Sequence, residues 1–154
     1  MTRWFATLAL LALLLGGCAL STAPRQTSSS AGHATIEVEL TIDVSVDNGK
    51  VTVTATSNLP DGTKLGGTVF AEGKFMAQDP QVLQGGAATF GPFSDGGGAI
   101  PPGTYEVSVT MPVPEVQPDE VRAIIGEHGE YLTGSQVNRD DGPTVEVTQT
   151  ITIK

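Results

Sequence analysis

From Ile36 to Asp47 the chain alternates without a break. Ile36, Val38, Leu40, Ile42, Val44 and Val46 share one parity; Glu37, Glu39, Thr41, Asp43, Ser45 and Asp47 share the other. A period of two marks a strand with one buried and one wet face. Asn48-Gly49 follows, and both residue types accept the positive φ of a type I′ turn. A two-residue loop sets Asp47 opposite Lys50, Val46 opposite Val51, Val44 opposite Val53 and Ile42 opposite Ala55. Apolar then meets apolar on one face, and Asp47 meets Lys50 on the other. A slip of one residue would turn every side chain to the wrong face. The folded part is thereby committed to antiparallel β-structure.

Turn signals divide the rest into further short strands. Asn58-Leu59-Pro60-Asp61-Gly62 is a turn, with Pro60 fixing φ and Gly62 accepting a left-handed conformation. Strands are expected at 64–72, 75–83 and 87–93. A glycine- and proline-rich loop, "SDGGGAIPPG", leads into "TYEVSVTM", where Tyr105, Val107 and Val109 alternate with polar residues. "TVEVTQTITIK" is the last strand. Seven or so strands argue for an antiparallel β-sandwich of the immunoglobulin or transthyretin type. The Cys…Trp…Cys pattern of antibody domains is absent: one Cys and one Trp occur in 154 residues, both in the first 18. One segment departs from the β pattern. Pro118 suits a first helical position, Asp119 and Glu120 the positive end of a helix dipole, and Gly126 a stop. Val121, Ile124 and Ile125 would form its apolar stripe. A helix of two turns is unstable alone, so it must pack on the sandwich.

The amino-terminal segment has a different character. Arg3 is the only charge before an apolar run from Trp4 to Leu15. That run is short of the roughly 20 residues needed to span a bilayer and suits a signal peptide. The small residues Gly16 and Gly17 precede Cys18. Leu15-Gly16-Gly17-Cys18 resembles the bacterial lipobox. The resemblance implies cleavage between Gly17 and Cys18, and lipid on the Cys18 thiol. Two or more acyl chains suffice for stable anchoring. Ala19, rather than Asp, favours the outer membrane if the cell is Gram-negative. A disulfide lacks a second Cys, and a catalytic thiol lacks a His to activate it. Residues 1–17 are thus read as leader and 18–34 as lipidated Cys and tether. Residues 35–154 are read as one domain. The tether, "ALSTAPRQTSSSAGHA", has no apolar period and reaches roughly 20–25 Å as a random coil.

Charge bears on partners. The chain has 8 basic and 17 acidic residues, and loss of Arg3 with the leader leaves a formal charge of −10. Every acid lies at or beyond Glu37. Such a domain is repelled by nucleic acid and by anionic lipid heads. The expected membrane contact is the anchor at Cys18 alone.

Three phrases, "SNLPDGTKL" at 57–65, "IPPGTYEVSV" at 100–109 and "VQPDEVRAIIGEHGEYLTGSQV" at 116–137, resemble a group of small exported or lipid-anchored bacterial domains. In that group a TNLPDGT turn, a PPGxYxV strand entry and a QPxxVxxxIGxxGExLxG helix recur in this order. The resemblance implies a shared sandwich fold and carries no catalytic residues.

Candidate chemistry is sparse. "DVSVDNG" places oxygens at Asp43, Ser45 and Asp47 like the start of an EF-hand. The loop then fails, with Asn48 where Gly and Thr54 where Glu are required. Ser94 lacks a G-x-S-x-G elbow. His128, between Glu127 and Gly129, reads as a solvated turn residue and His33 as a tether residue. Two His and one Cys make no zinc set, and "GTKLGGT" lacks phosphate-loop spacing. Asp140 and Asp141 belong to a turn. Phe70, Phe75, Phe90, Phe93 and Tyr105 are expected mainly in the core; Tyr131 is the aromatic to test for exposure. No metal or cofactor is expected.

The reading that follows is an envelope lipoprotein carrying a non-catalytic binding domain. Its partner would be an envelope protein or a glycan. Its surface would be formed by loops 94–103 and 118–134, with Ser94, Asp95, Gly96 and Tyr131 as contacts. The alternatives are an envelope enzyme or accessory subunit using Ser94 and His128, and a structural or stress-related component.

Overall fold

The computed structural model describes residues 33–140 and 142–154. Gly17, Cys18, the leader and nearly all of the tether lie outside them, as does Asp141. In chain order the strands are β1 (Ile36–Glu37), β2 (Leu40–Asp47), β3 (Lys50–Ser57), β4 (Lys64–Ala71), β5 (Phe75–Val82), β6 (Ala87–Phe93), β7 (Gly103–Met111), β8 (Leu132–Thr133), β9 (Val137–Asn138) and β10 (Thr144–Ile153). Among the described residues one α-helix, α1 (Asp119–Ile125), follows a 3₁₀ turn at Pro114–Val116.

The first hairpin has the register the alternation dictates, with Asp47 opposite Lys50, Val46 opposite Val51 and Ile42 opposite Ala55. Asn48 and Gly49 take φ of 51° and 72°. The strand before it is broken once. Val38-Glu39 separates β1 from β2, and β1 pairs in parallel with β8. Side-chain parity survives the break, so periodicity could not reveal it.

The strands form sheets of order β2-β3-β6 and β5-β4-β7-β10-β9. In immunoglobulin lettering the long strands are A-B-E facing C′-C-F-G. Tyr105, near the start of β7, strengthens that assignment. Its ring is 1% exposed, and its hydroxyl donates to the Pro101 carbonyl at 2.6 Å. This is the tyrosine corner of immunoglobulin-like sandwiches. Of the two sandwich types allowed by the alternation, the strand order selects the immunoglobulin-like one.

The core is drawn from both inner faces: Val51, Val53 and Ala55 of β3, Phe90 and Phe93 of β6, Leu65 and Val69 of β4, and Tyr105, Val107 and Val109 of β7. Gly67 of β4 leaves room for the Phe90 ring, since a Cβ there would lie 2.6 Å from ring carbons.

Two expectations are corrected. Pro118 is the N-cap, one residue before the helix, with extended backbone (ψ 152°) and a carbonyl accepting from the Val121 and Arg122 amides. Only Val121 and Ile125 of the predicted stripe are buried; Ile124 is 51% exposed. A helix this short presents one i, i+4 pair to the sandwich, and a third apolar residue turns outward.

Candidate functional site

Two loop regions were expected to carry function, and the fold places them at opposite ends of the sandwich. The loop after β6 docks on the first hairpin. Ile100 is buried, and its N–H donates to the Gly49 carbonyl at 2.7 Å. Asp95 and Gly98 exchange two backbone hydrogen bonds (3.2 and 2.8 Å) that close its tip. Ser94 is half-buried, whereas Asp95, Gly96, Gly97, Gly98 and Ala99 are exposed. This tip offers backbone and one carboxylate, with little side-chain area. His128 lies beyond the other end of β7. That nine-residue strand spans roughly 27 Å at about 3.4 Å per residue. Ser94 and His128 are therefore not brought together.

At the helical end the residues of the segment 117–132 have definite structural roles. Gln117 is buried, and its side-chain amide accepts from Lys64 N–H at 2.8 Å and donates to the Lys64 carbonyl at 3.1 Å. The β4–β7 register extended past Gly66–Thr110 would set Lys64 against Pro112. Proline has no N–H, so Gln117 supplies the missing ladder partner. Val121, Ile125 and Leu132 enter the core. Gly126 adopts φ 97° and ψ 148°, a conformation open essentially to glycine, and a Cβ there would overlap the Glu130 carboxylate. Glu130 folds back to accept the His128 N–H at 2.9 Å. Hydrogen bonds from its own N–H and that of His128 hold its pKa below the usual carboxylate value, against a smaller effect of burial. Gly129 (φ 68°) packs between Pro114 and Pro143. These positions build a loop; none presents a reactive group.

Primary amides recur in this bracketing role. Gln136 accepts from Leu40 N–H at 2.8 Å and donates to the Leu40 carbonyl at 2.7 Å. Asn58 accepts from Glu39 N–H and donates to the Glu37 carbonyl (2.9 and 2.7 Å), spanning the break between β1 and β2. Sequence reasoning missed all three, because an amide's partner is set by tertiary proximity.

His128 lies in a turn and is exposed, as the sequence suggested, and it has a side-chain partner. Its Nδ1 lies 3.2 Å from Glu115 Oε1, with the two side chains 77% and 55% exposed. Hydrogen bonding to the Glu115 backbone, then to His128, lowers the Glu115 pKa. Arg122 bridges Asp119 and Glu127 at 2.5 and 2.9 Å. These are solvated ion pairs worth little. Tyr131 is half-buried, and its ring stacks on that of His33 at 4.5 Å, so His33, expected to be a tether residue, rests against the domain. Asp43, Ser45 and Asp47 are exposed along β2. Among the described residues no group of three or more His, Cys, Asp and Glu side chains converges as a metal site.

The surface feature that stands out is a sheet face. The outer face of the three-stranded sheet is polar, with Thr41, Asp43, Ser45, Thr52, Thr54 and Thr56. The outer face of β4 and β5 is mixed, with apolar side chains among Lys64, Thr68 and Gln78. Phe70 pairs with Met76 and Gly66 with Pro80, while Val82 lies opposite Lys64. Phe70 is 39% and Met76 62% exposed. Phe70, expected in the core with the other aromatics, is on the outside because its parity in β4 is that of Lys64 and Thr68. Where Gly66 lacks a side chain, a hollow of about 460 Å³ opens among Lys64, Thr68, Gln78, Pro80, Thr110 and Pro112.

Comparison of the chain with protein-family models, with curated proteins and with solved structures gives no match. Among the described residues no helix is long and apolar enough to cross a membrane.

Proposed function

We propose that this chain is a lipid-anchored envelope protein whose immunoglobulin-like domain is a non-catalytic binding module. Its binding surface is then the outer face of β4 and β5. The observation that carries this reading is the exposure of Phe70, Met76, Pro80 and Val82 on one face, interrupted by Thr68 and Gln78, of a domain whose other sheet face is polar. Apolar side chains clustered on a monomer's surface mark interaction sites more often than scattered ones do. The chemistry favours a protein partner over a glycan. Tyr105 is buried and Tyr131 is stacked on His33, so neither offers an open aromatic platform. The acidic balance of the domain would favour a basic rim on that partner.

The test uses the full chain in a bacterial envelope. Chemical cross-linking of the wild type is expected to capture a protein that Met76→Glu no longer captures, while the variant's circular dichroism stays native. Equal capture by both would refute the surface. The anchor is tested separately: Cys18→Ala is expected to abolish processing and release the protein from membranes. Unchanged processing and membrane retention would refute lipidation.

A further inference from the structure

We propose that the free edge of β10 pairs with the same edge of a second copy, about a two-fold axis through Thr150. The inference starts from how the strand edges are protected. An unpaired edge exposes N–H and C=O groups and invites pairing with another chain. Most edges here are blunted. β5 carries Pro80 and the inward-leaning Asp79, whose Oδ2 accepts from Gly91 N–H at 2.8 Å. β6 is interrupted by Gly91-Pro92 and loses register with β3 between Val51 and Val53. β2 is bracketed at Leu40 by Gln136 and bears Asp43 and Asp47.

Among the described residues β10 has no such device along most of its length, although β2 of the facing sheet runs close to it. β9 pairs only with Thr144 and Val145. Beyond them, six of the eight residues Glu146–Ile153 are β-branched and none is proline or glycine. β2 of the facing sheet makes no ladder with this strand. The inner-face residues beside the edge are incompletely covered: Val147 and Ile151 are half-buried and Gln149 is exposed, while Val46 on β2 is 44% exposed.

The geometry of the free edge specifies the occupant. Antiparallel pairing of two identical strands about a two-fold requires one residue to face its own copy. Beyond β9 the open part of β10 runs from Glu146 to Ile153; Glu146 is its one acidic residue, the adjacent Lys154 is basic, and the two-fold that brings these two together passes through Thr150. Pairing about Thr150 sets Val147 against Ile153 and Gln149 against Ile151 on the inner face, and Thr148 against Thr152 on the outer one. It also sets Glu146 against Lys154, twice by symmetry. Cross-strand pairs of β-branched residues and of opposite charges are the ones that stabilise a sheet. A strand of unrelated sequence would lack this match. The merged ten-stranded sheet leaves the outer face of β4 and β5 free, so the inference does not rest on the binding surface proposed above.

The test is cysteine cross-linking of the full chain in envelope membranes. Thr150→Cys is expected to give a covalent dimer with a short thiol-reactive cross-linker. The comparisons are the wild type and Thr54→Cys, on the exposed polar face of the other sheet. Adding Glu146→Lys to Thr150→Cys is expected to lower the dimer fraction severalfold, because two ion pairs become two repulsions. Adding Lys154→Glu to that variant restores the pairs and is expected to restore the dimer. A Thr150→Cys dimer no stronger than that of Thr54→Cys overturns the proposal. So does a dimer indifferent to both charge reversals. Met76→Glu in the Thr150→Cys background is expected to leave the dimer unchanged; its loss would assign the contact to the other sheet face and also overturn the proposal.

Discussion

Replacing Gln117 by leucine tests whether a buried amide joins the helical insertion to the sheet. Leucine nearly matches the volume but makes no hydrogen bond. The change removes the bonds to Lys64 N–H (2.8 Å) and to the Lys64 carbonyl (3.1 Å). Each is worth about 0.5–1.5 kcal/mol net, and a buried donor left without a partner costs about 1–3 kcal/mol. A total loss of about 3 kcal/mol is therefore expected, a large share of the roughly 5–15 kcal/mol that holds a domain folded. With an unfolding entropy of about 2.1 cal/mol/K per residue over about 120 residues, Tm falls by roughly 12 °C. Urea and thermal denaturation of the purified protein, followed by far-UV circular dichroism, measure it. Gln78→Leu is the control. Gln78 is exposed and reaches only Thr68 Oγ1 at 3.5 Å, so its loss should stay within about 0.5 kcal/mol. If Gln117→Leu costs less than about 1 kcal/mol, water replaces the amide without penalty and the ladder-partner argument fails.

Gly67→Ala is expected to destabilise by about 1–3 kcal/mol, the usual cost of overpacking, because its Cβ would sit 2.6 Å from the Phe90 ring; Gly66→Ala, with open space around it, serves as the control in the same melts. Glu130→Gln is expected to flatten the acid limb of stability. The Glu130 pKa is lowered in the folded state. Its charge therefore contributes stability above the unfolded carboxylate pKa of about 4.3, which is lost as pH falls through the folded value. Parallel acid-unfolding curves for the variant and the wild type would show that the loop does not depend on that carboxylate.

The β-hairpin was legible because two independent constraints, alternation and a two-residue turn, agreed on one register. The helix at 119–125 was legible from its acidic first turn and Gly126. Its exposed Ile124 was not, because a short apolar stripe does not say how much of it the sandwich covers. Phe70 was assigned to the core by residue type, although its parity in β4 pointed outward. His128 was legible as a solvated turn residue, but its contact with Glu115 was not, since nothing in local sequence signals a partner 13 residues away. The candidate surface divided in the same manner. Ser94, Asp95 and Gly96 were recognisable as a loop tip. That this loop and the His128 loop cap opposite ends of β7 depends on strand order.

The local pattern alone determined the class of structure, the first register, the turns and the helix, because each depends on residues within a few positions of one another. It also marked the acidic balance of the domain. Only the tertiary structure decided which sandwich type forms, since the same alternation fits both strand orders. It alone showed Gln117, Gly126, Gly129 and Glu130 of the helical segment to be loop-building parts. It also left the two conspicuous surfaces: apolar side chains on the outside of β4 and β5, and a β10 edge that β9 covers for only two residues. Both follow from which strands become neighbours, and that is set by burial across the whole domain.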